Sequence, residues 1–207
     1  MSIGETIFAG MYGRMSAATE EAGLADRRRA LIAGARGRVL EIGGGLGANL
    51  PYYGPEVESV SLAEPGPAMA RRLQARLDEC RGELPFDVEL VRAPAEELPF
   101  EPDSFDTVVS TLVLCAVGDQ GRALSELRRV LRPGGQLLFL EHVRGEGRTG
   151  TLQDRVNWLN KLVVRCNCNR DTLRSIADSG FTVSSVEHGA LPKTPPFVRP
   201  MVVGSAT

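Results

Sequence analysis

Val39-Leu40-Glu41-Ile42-Gly43-Gly44-Gly45-Leu46-Gly47-Ala48-Asn49-Leu50 is a short apolar run with an acid near its end, then four glycines within five positions, then a helical pattern. This reads as a strand, a tight loop and a helix. Glycine suits such a loop because it takes positive φ and lets a ligand approach the backbone with no Cβ in the way. About twenty residues on, Ser59-Val60-Ser61-Leu62-Ala63-Glu64 reads as a second strand closed by a carboxylate. A glycine loop after one strand and an acid ending the next make a cradle for a nucleoside, since one carboxylate accepts from both ribose hydroxyls.

Two cofactor classes satisfy that cradle. Gly43-x-Gly45-x-x-Ala48 fits the G-x-G-x-x-G/A dinucleotide fingerprint, with Glu64 in the acid's place. Glu41, however, lies inside the first strand's end, where its charge suits an ammonium or sulfonium better than a pyrophosphate. Downstream follow Ala95-Glu96-Glu97-Leu98-Pro99-Phe100, Phe105-Asp106-Thr107-Val108 and Leu131-Arg132-Pro133-Gly134-Gly135, then an apolar strand from Gln136 to Leu140. With these segments in order, the chain from about Ala30 onward resembles the class I S-adenosyl-L-methionine-dependent methyltransferases, specifically the type 11 group. That group carries the series E-x-G-x-G-x-G, E/D-P, A-E-x-L-P-F, F-D-x-V and L-R-P-G-G.

The resemblance implies a set of cofactor-binding residues. Gly43, Gly44, Gly45 and Gly47, with Asn49 behind them, would back the methionine portion, and Glu41 would hold its ammonium. Glu64, followed by Pro65, would bind the ribose. Ala95 and Glu96 match the adenine-contacting loop, although Pro94 stands where an aspartate is common. Ser110, Thr111, Leu112 and Cys115 fall at the end of the fourth strand, facing the cofactor's amino-acid end. Tyr12 is expected to fold over the cofactor as part of a lid. Asp106 reads as structural, tying the start of its strand.

Length and composition set the frame. A chain of 207 residues fits one domain able to bury roughly 70% of its unfolded surface. A net charge of −2 argues against a nucleic-acid partner, which usually meets a basic excess. Arg27-Arg28-Arg29 and Arg71-Arg72 read as solvated helix faces. No apolar run reaches membrane-spanning length, and Met1 to Gly10 lacks the pattern of a signal peptide. Cys80, Cys115, Cys166 and Cys168 show no disulfide framework, which points to a reducing cytoplasm. Cys166-Asn167-Cys168 is not a C-x-x-C knuckle, so no metal is expected and the cysteines read as ordinary pocket-wall residues.

The expected fold is α/β: a Rossmann-like, seven-stranded, mostly parallel sheet with an antiparallel C-terminal hairpin and helices on both faces. Strands are expected near 38–42, 58–63, 87–91, 105–111 and 135–141, and helices near 46–53, 66–80, 119–131 and 170–179. One domain, 1–207, divides into an N-terminal helical cap or lid (1–37), a cofactor-binding core (38–141), an acceptor-shaping insertion and helix (142–180) and the hairpin (181–207). Phe181 to His188 and Phe197 to Ser205 are strands joined without a helix, so they pair antiparallel.

The methyl acceptor is expected to be a small molecule. Thr111-Leu112-Val113-Leu114-Cys115, Glu141-His142-Val143 and Cys166-Asn167-Cys168-Asn169-Arg170-Asp171 resemble a narrower group, the methyltransferase-like alkyl thiol methyltransferases and their actinobacterial relatives. Arg165 departs from that group's glycine, and the N-terminal membrane anchor of its vertebrate members has no counterpart in the sequence. His142 is the candidate catalytic residue, as a base or an orienting group; a hydrogen-bonded structural role suits it equally. O- or N-methylation of a natural-product, quinone or lipid-type acceptor is the alternative. A nicotinamide oxidoreductase and a non-catalytic cofactor binder stand behind it.

Overall fold

Strands whose residues are apolar on both faces need cover on both sides, and a parallel sheet sandwiched by crossover helices supplies it. The computed structural model describes residues 10, 13, 16–80 and 82–207; Tyr12 lies outside the described residues. The strands are β1 (Gly37–Ile42), β2 (Val57–Ala63), β3 (Asp87–Val91), β4 (Phe105–Thr111), β5 (Leu131–His142), β6 (Val183–Ala190) and β7 (Pro200–Ala206). The helices are α1 (Ala25–Ile32), α2 (Pro67–Glu79), α3 (Gln120–Val130), α4 (Gly147–Val164) and α5 (Thr172–Asp178). One seven-stranded sheet runs in the order β3-β2-β1-β4-β5-β7-β6. Neighbours among β1 to β5 pair in parallel, whereas β7 lies antiparallel between β5 and β6.

Adjacent residues on each strand feed opposite faces. Leu40, Val108 and Phe139 join one apolar cluster with Leu124, Leu127 and Ile176. Val39, Val109 and Leu140 join the other with Ile32, Leu62 and Leu73. The strand order reverses between β1 and β4, which opens a crevice at the carboxyl ends of these central strands. Asp106 ties the opposite end: it accepts from the Arg38 amide at 2.7 Å and pairs with Arg132. The L-R-P-G-G segment therefore anchors the start of β4 through its arginine.

Two expectations need correction. Residues 46–53 form turns and a single 3-10 turn, Leu50–Tyr52, and not a helix. Positive φ persists through Gly47, and Pro51, lacking an amide hydrogen, leaves too few residues for an α-helical turn to propagate. Conversely, the insertion of 142–180, where the sequence predicts a helix only near 170–179, also contains the 18-residue α4. Its buried side is polar or small (Gly150, Gln153, Asn160), whereas Trp158, Leu162 and Val163 are exposed. A helix with its apolar residues outward gives no ordinary amphipathic signal.

Candidate functional site: a cleft at the carboxyl edge of the sheet

A cleft of about 880 Å³ opens at the carboxyl ends of β1, β2, β4 and β5. Of the expected residues, Gly43, Gly45, Glu64, Pro65, Ala95, Glu96, Leu112, Cys115 and His142 line it. Ser16 and Thr19 from the N-terminal segment reach it too. Glu41, Gly44, Gly47, Asn49, Ser110 and Thr111 stand behind this lining and act on it through hydrogen bonds and packing.

The glycines of the loop serve different ends. An added Cβ would meet Val113 at 2.5 Å from Gly43, Leu73 at 2.9 Å from Gly44 and Leu50 at 2.8 Å from Gly47. At these three positions the protein itself excludes a side chain. Gly45 differs: it has φ +56°, and its Cβ would find nothing closer than the Gly43 carbonyl at 3.5 Å. Its bare face is turned to open space within the cleft.

Glu64 spans the loop and the start of α2. Its Oε2 accepts from the Gly45 amide at 3.0 Å and its Oε1 from the Gly66 amide at 2.9 Å. Burial pushes its carboxyl up, against the lowering effect of these two amides. A carboxylate has about four lone-pair sites, so both oxygens keep an acceptor position for ligand hydroxyls. The bare Gly45 face and this carboxylate fit an adenosine-type cofactor.

Behind the loop lies a buried polar network that the sequence did not announce. Glu41 is 2% exposed and accepts from the Tyr53 hydroxyl at 2.6 Å. Burial pushes its carboxyl from 4.5 up to about 7, opposed by Tyr53, the Arg28 charge and Asn49. Arg28, read from sequence as solvated, is only 4% exposed. It donates to Asn49 at 2.7 Å and Thr111 at 2.9 Å, and pairs with Glu20 at 2.7 Å. The correction is physical: in a run of three arginines the helical period turns one inward, and only Arg28 finds buried acceptors. Arg28→Met should lower stability by about 3–5 kcal/mol, since it strands buried polar partners. A lower denaturant midpoint at unchanged slope would show it; an unchanged midpoint would mean that the network is dispensable.

The loop after β4 is shaped by Glu141, which is fully buried. Its Oε1 accepts from Ser110 Oγ at 2.7 Å and from the Val113 and Leu114 amides at 3.0 and 3.1 Å. Leu112 holds φ +60°, a costly conformation for leucine that the surrounding bonds over-determine. On the opposite lip, Glu96 Oε1 accepts from the Gly118 and Asp119 amides at 2.6 and 3.2 Å. That fastens the Ala95–Glu96 turn to the loop after β4.

His142 closes β5 and meets Cys166, with Nε2 2.5 Å from its Sγ. The neighbouring Cys166 and burial raise the Cys115 thiol, and Cys115 and His142 lower that of Cys166; Cys115 Sγ itself donates to the Leu112 carbonyl at 3.6 Å. Arg170 donates to the Leu114 carbonyl and, at 2.7 Å, to the Val117 carbonyl, clamping the turn that carries Cys115. Gln153 of α4 is another residue not singled out by sequence. Its amide nitrogen reaches the carbonyls of Val143, Cys168 and Phe197 at 3.0, 2.7 and 2.9 Å. It gathers three segments beside the cleft wall that carries His142 and Cys166. Its signal is the inverted polarity of α4, visible only once the helix is known.

The comparisons with known proteins agree with this geometry. Residues 40–139 match the family described as Methyltransferase domain. The thiol S-methyltransferase TMT1A of Homo sapiens is 34% identical over 195 residues, 88% of this chain and 79% of the relative. A SAM-dependent methyltransferase of Thermotoga maritima superposes with a TM-score of 0.71 at 23% identity, covering 98% of this chain and 97% of that one. Geranyl diphosphate C-methyltransferase of Streptomyces coelicolor, solved with S-adenosyl-L-homocysteine, gives a TM-score of 0.67 at 16% identity over 88% and 76% of the two chains. Among the described residues, no helix is long and apolar enough to cross a membrane. With 34% identity to a curated relative over 88% of its length, and a switch-point cleft to match, the chain belongs to the class I S-adenosylmethionine-dependent methyltransferases.

Proposed function

We propose that the methyl acceptor is a small alkyl thiol, taken up at the end of the cleft lined by Cys115, His142 and Cys166. The observation that carries this reading is the 34% identity to a thiol S-methyltransferase over 88% of the chain, which includes these acceptor-side segments. The wall there also carries Val156, Leu159, Val163 and Phe197, suited to an apolar alkyl group.

The bound cofactor supplies an activated methyl group on a sulfonium. The chain's task is then to position the reactants and exclude water. Gly45 offers a bare backbone to the methionine portion, Glu64 accepts from the ribose hydroxyls, Ala95 packs on the adenine, and Glu41, behind the loop, answers the charge of the ammonium. Ser16 and Thr19 stand at the rim of the same cleft. The attacking species is the thiolate. The test is turnover with radiolabelled methyl donor against alkyl thiols, phenols and amines. Alkyl thiols should be methylated at least about tenfold more efficiently than the others; inert thiols beside an active phenol or amine would replace this acceptor with the O- or N-alternative.

The position of Glu41 gives a pH prediction. Its raised carboxyl in the free protein favours the protonated form, so its contribution to stability is complete below pH 4.5 and is lost as pH rises through about 7. An ammonium placed beside it reverses that preference, and binding should then expel the proton. Calorimetry in buffers of different ionisation enthalpy should find nearly one proton released per S-adenosylhomocysteine at about pH 6 and about a tenth of one at pH 8. Glu41→Gln should remove the release. Release that persists in this variant would place the ammonium elsewhere.

A further inference from the structure

Cys115, His142 and Cys166 remain unexplained once the cofactor is placed. One ligand atom from each lies within 4.8 Å of the others, and all three residues are buried. They come from the turn after β4, the end of β5 and the loop after α4, so no linear spacing announces them. The neighbouring cysteine of the C-x-C pair belongs to another environment, since Cys168 Sγ donates to the Gln153 carbonyl and to Asn157 Oδ1. The frame around the three is fixed. The Asn167 amide donates to the Cys115 carbonyl at 2.9 Å, and Asn160 Nδ2 to the Cys166 carbonyl at 2.7 Å. His142 and Cys166 face each other through Nε2 and Sγ.

We propose that Cys115, His142 and Cys166 bind one thiophilic divalent cation, zinc by preference, whose fourth position opens on the cleft and receives the acceptor sulfur. This deepens the thiol reading and rests on it. Two thiolates, one imidazole and an open position make a zinc set of the catalytic kind, and sulfur ligands favour zinc over the hard cations. With zinc–sulfur and zinc–nitrogen bonds of about 2.3 and 2.05 Å, tetrahedral ligands stand about 3.5–3.8 Å apart. The three ligand atoms already lie within 4.8 Å of one another, and the histidine–cysteine pair would have to open by about 1 Å to meet that range. All three residues line the same cleft, so a ligand in that cleft could supply the fourth donor.

The chemistry balances. The thiol binds the cation and gives its proton to water, because a coordinated thiol is deprotonated. The resulting thiolate sulfur attacks the methyl carbon in line. The bond from that carbon to the sulfonium breaks with its electron pair going to the departing sulfide. The product is a neutral thioether, a weaker ligand than the thiolate, and it leaves the cation.

Cobalt(II) reports on such a site without turnover. Metal-stripped full-length protein should take up one cobalt per chain, with the intense visible bands of tetrahedral cobalt and a near-ultraviolet thiolate charge-transfer band. Ethanethiol should strengthen the charge-transfer band. Cys166→Ser and His142→Ala should weaken cobalt binding by more than about a hundredfold while still binding S-adenosylhomocysteine, and Cys80→Ser, remote from the cluster, should match wild type. The absence of saturable cobalt and zinc binding, binding that survives the loss of Cys166, or a wild-type spectrum that ignores ethanethiol would each overturn the proposal. The wild-type titration needs no variant, so misfolding cannot obscure the answer. Methylated thiols with no bound cation would sink the metal site alone; a thiol-responsive cobalt site with thiols inert in turnover would sink the thiol reading instead.

Discussion

Gly45→Val is expected to abolish cofactor binding while leaving the fold in place. Gly45 holds φ +56°, and its missing side chain would point into the open cleft. Valine there occupies ligand space and demands a backbone angle that β-branched residues almost never adopt. S-adenosylhomocysteine affinity should fall by more than about a thousandfold, or about 4 kcal/mol, with an unchanged far-ultraviolet circular dichroism spectrum. Gly44→Ala is the contrast. Its Cβ would meet Leu73 at 2.9 Å, so it should cost stability first and affinity only in consequence. Retained binding in Gly45→Val would reduce the loop to a turn.

This contrast shows what the sequence carried and what it did not. Four glycines in five positions announce a loop that cannot bear side chains, but not the reason at each place. Val113, Leu73 and Leu50 exclude a Cβ from Gly43, Gly44 and Gly47, and those neighbours are settled only by tertiary packing. The strands were legible because each is short, apolar and bounded by turn residues; β3 and β4 fall at the limits read from the sequence. The antiparallel end of the sheet was legible for a topological reason, since two strands joined without a helix must reverse direction.

Arg28, Gln153 and the His142–Cys166 contact were not legible, for a shared reason. Each depends on polar atoms brought together from distant segments: Arg28 with Asn49 and Thr111, Gln153 with Phe197, His142 with Cys166. Such partners obey no local period. Composition even argued against them, because arginine and glutamine are ordinarily surface residues. The wall carrying Cys115, His142 and Cys166 is assembled in this way, whereas the glycine loop and Glu64 sit on the ends of adjacent strands. Local reading therefore reached the glycine loop and Glu64 before that wall.

Glu64→Ala carries the second large effect, and the geometry says how its two contributions separate. In the free protein Glu64 already holds the Gly45 and Gly66 amides, so alanine removes a tether of the loop as well as an acceptor for the ribose. Loss of the charged acceptor should cost about 2–3 kcal/mol, or tens to over a hundredfold in S-adenosylhomocysteine affinity. A double-mutant cycle against the 2′-deoxy cofactor analogue divides that loss. Wild type should bind the analogue more weakly than the parent, because one hydroxyl no longer meets the carboxylate. Glu64→Ala should show little difference between the two ligands. Glu64→Gln keeps one acceptor oxygen but turns an amino group toward a backbone N–H, so it should fall between wild type and alanine. If Glu64→Ala weakens both ligands equally and wild type also binds them alike, Glu64 acts only as the strap of the glycine loop and the ribose is held by other groups.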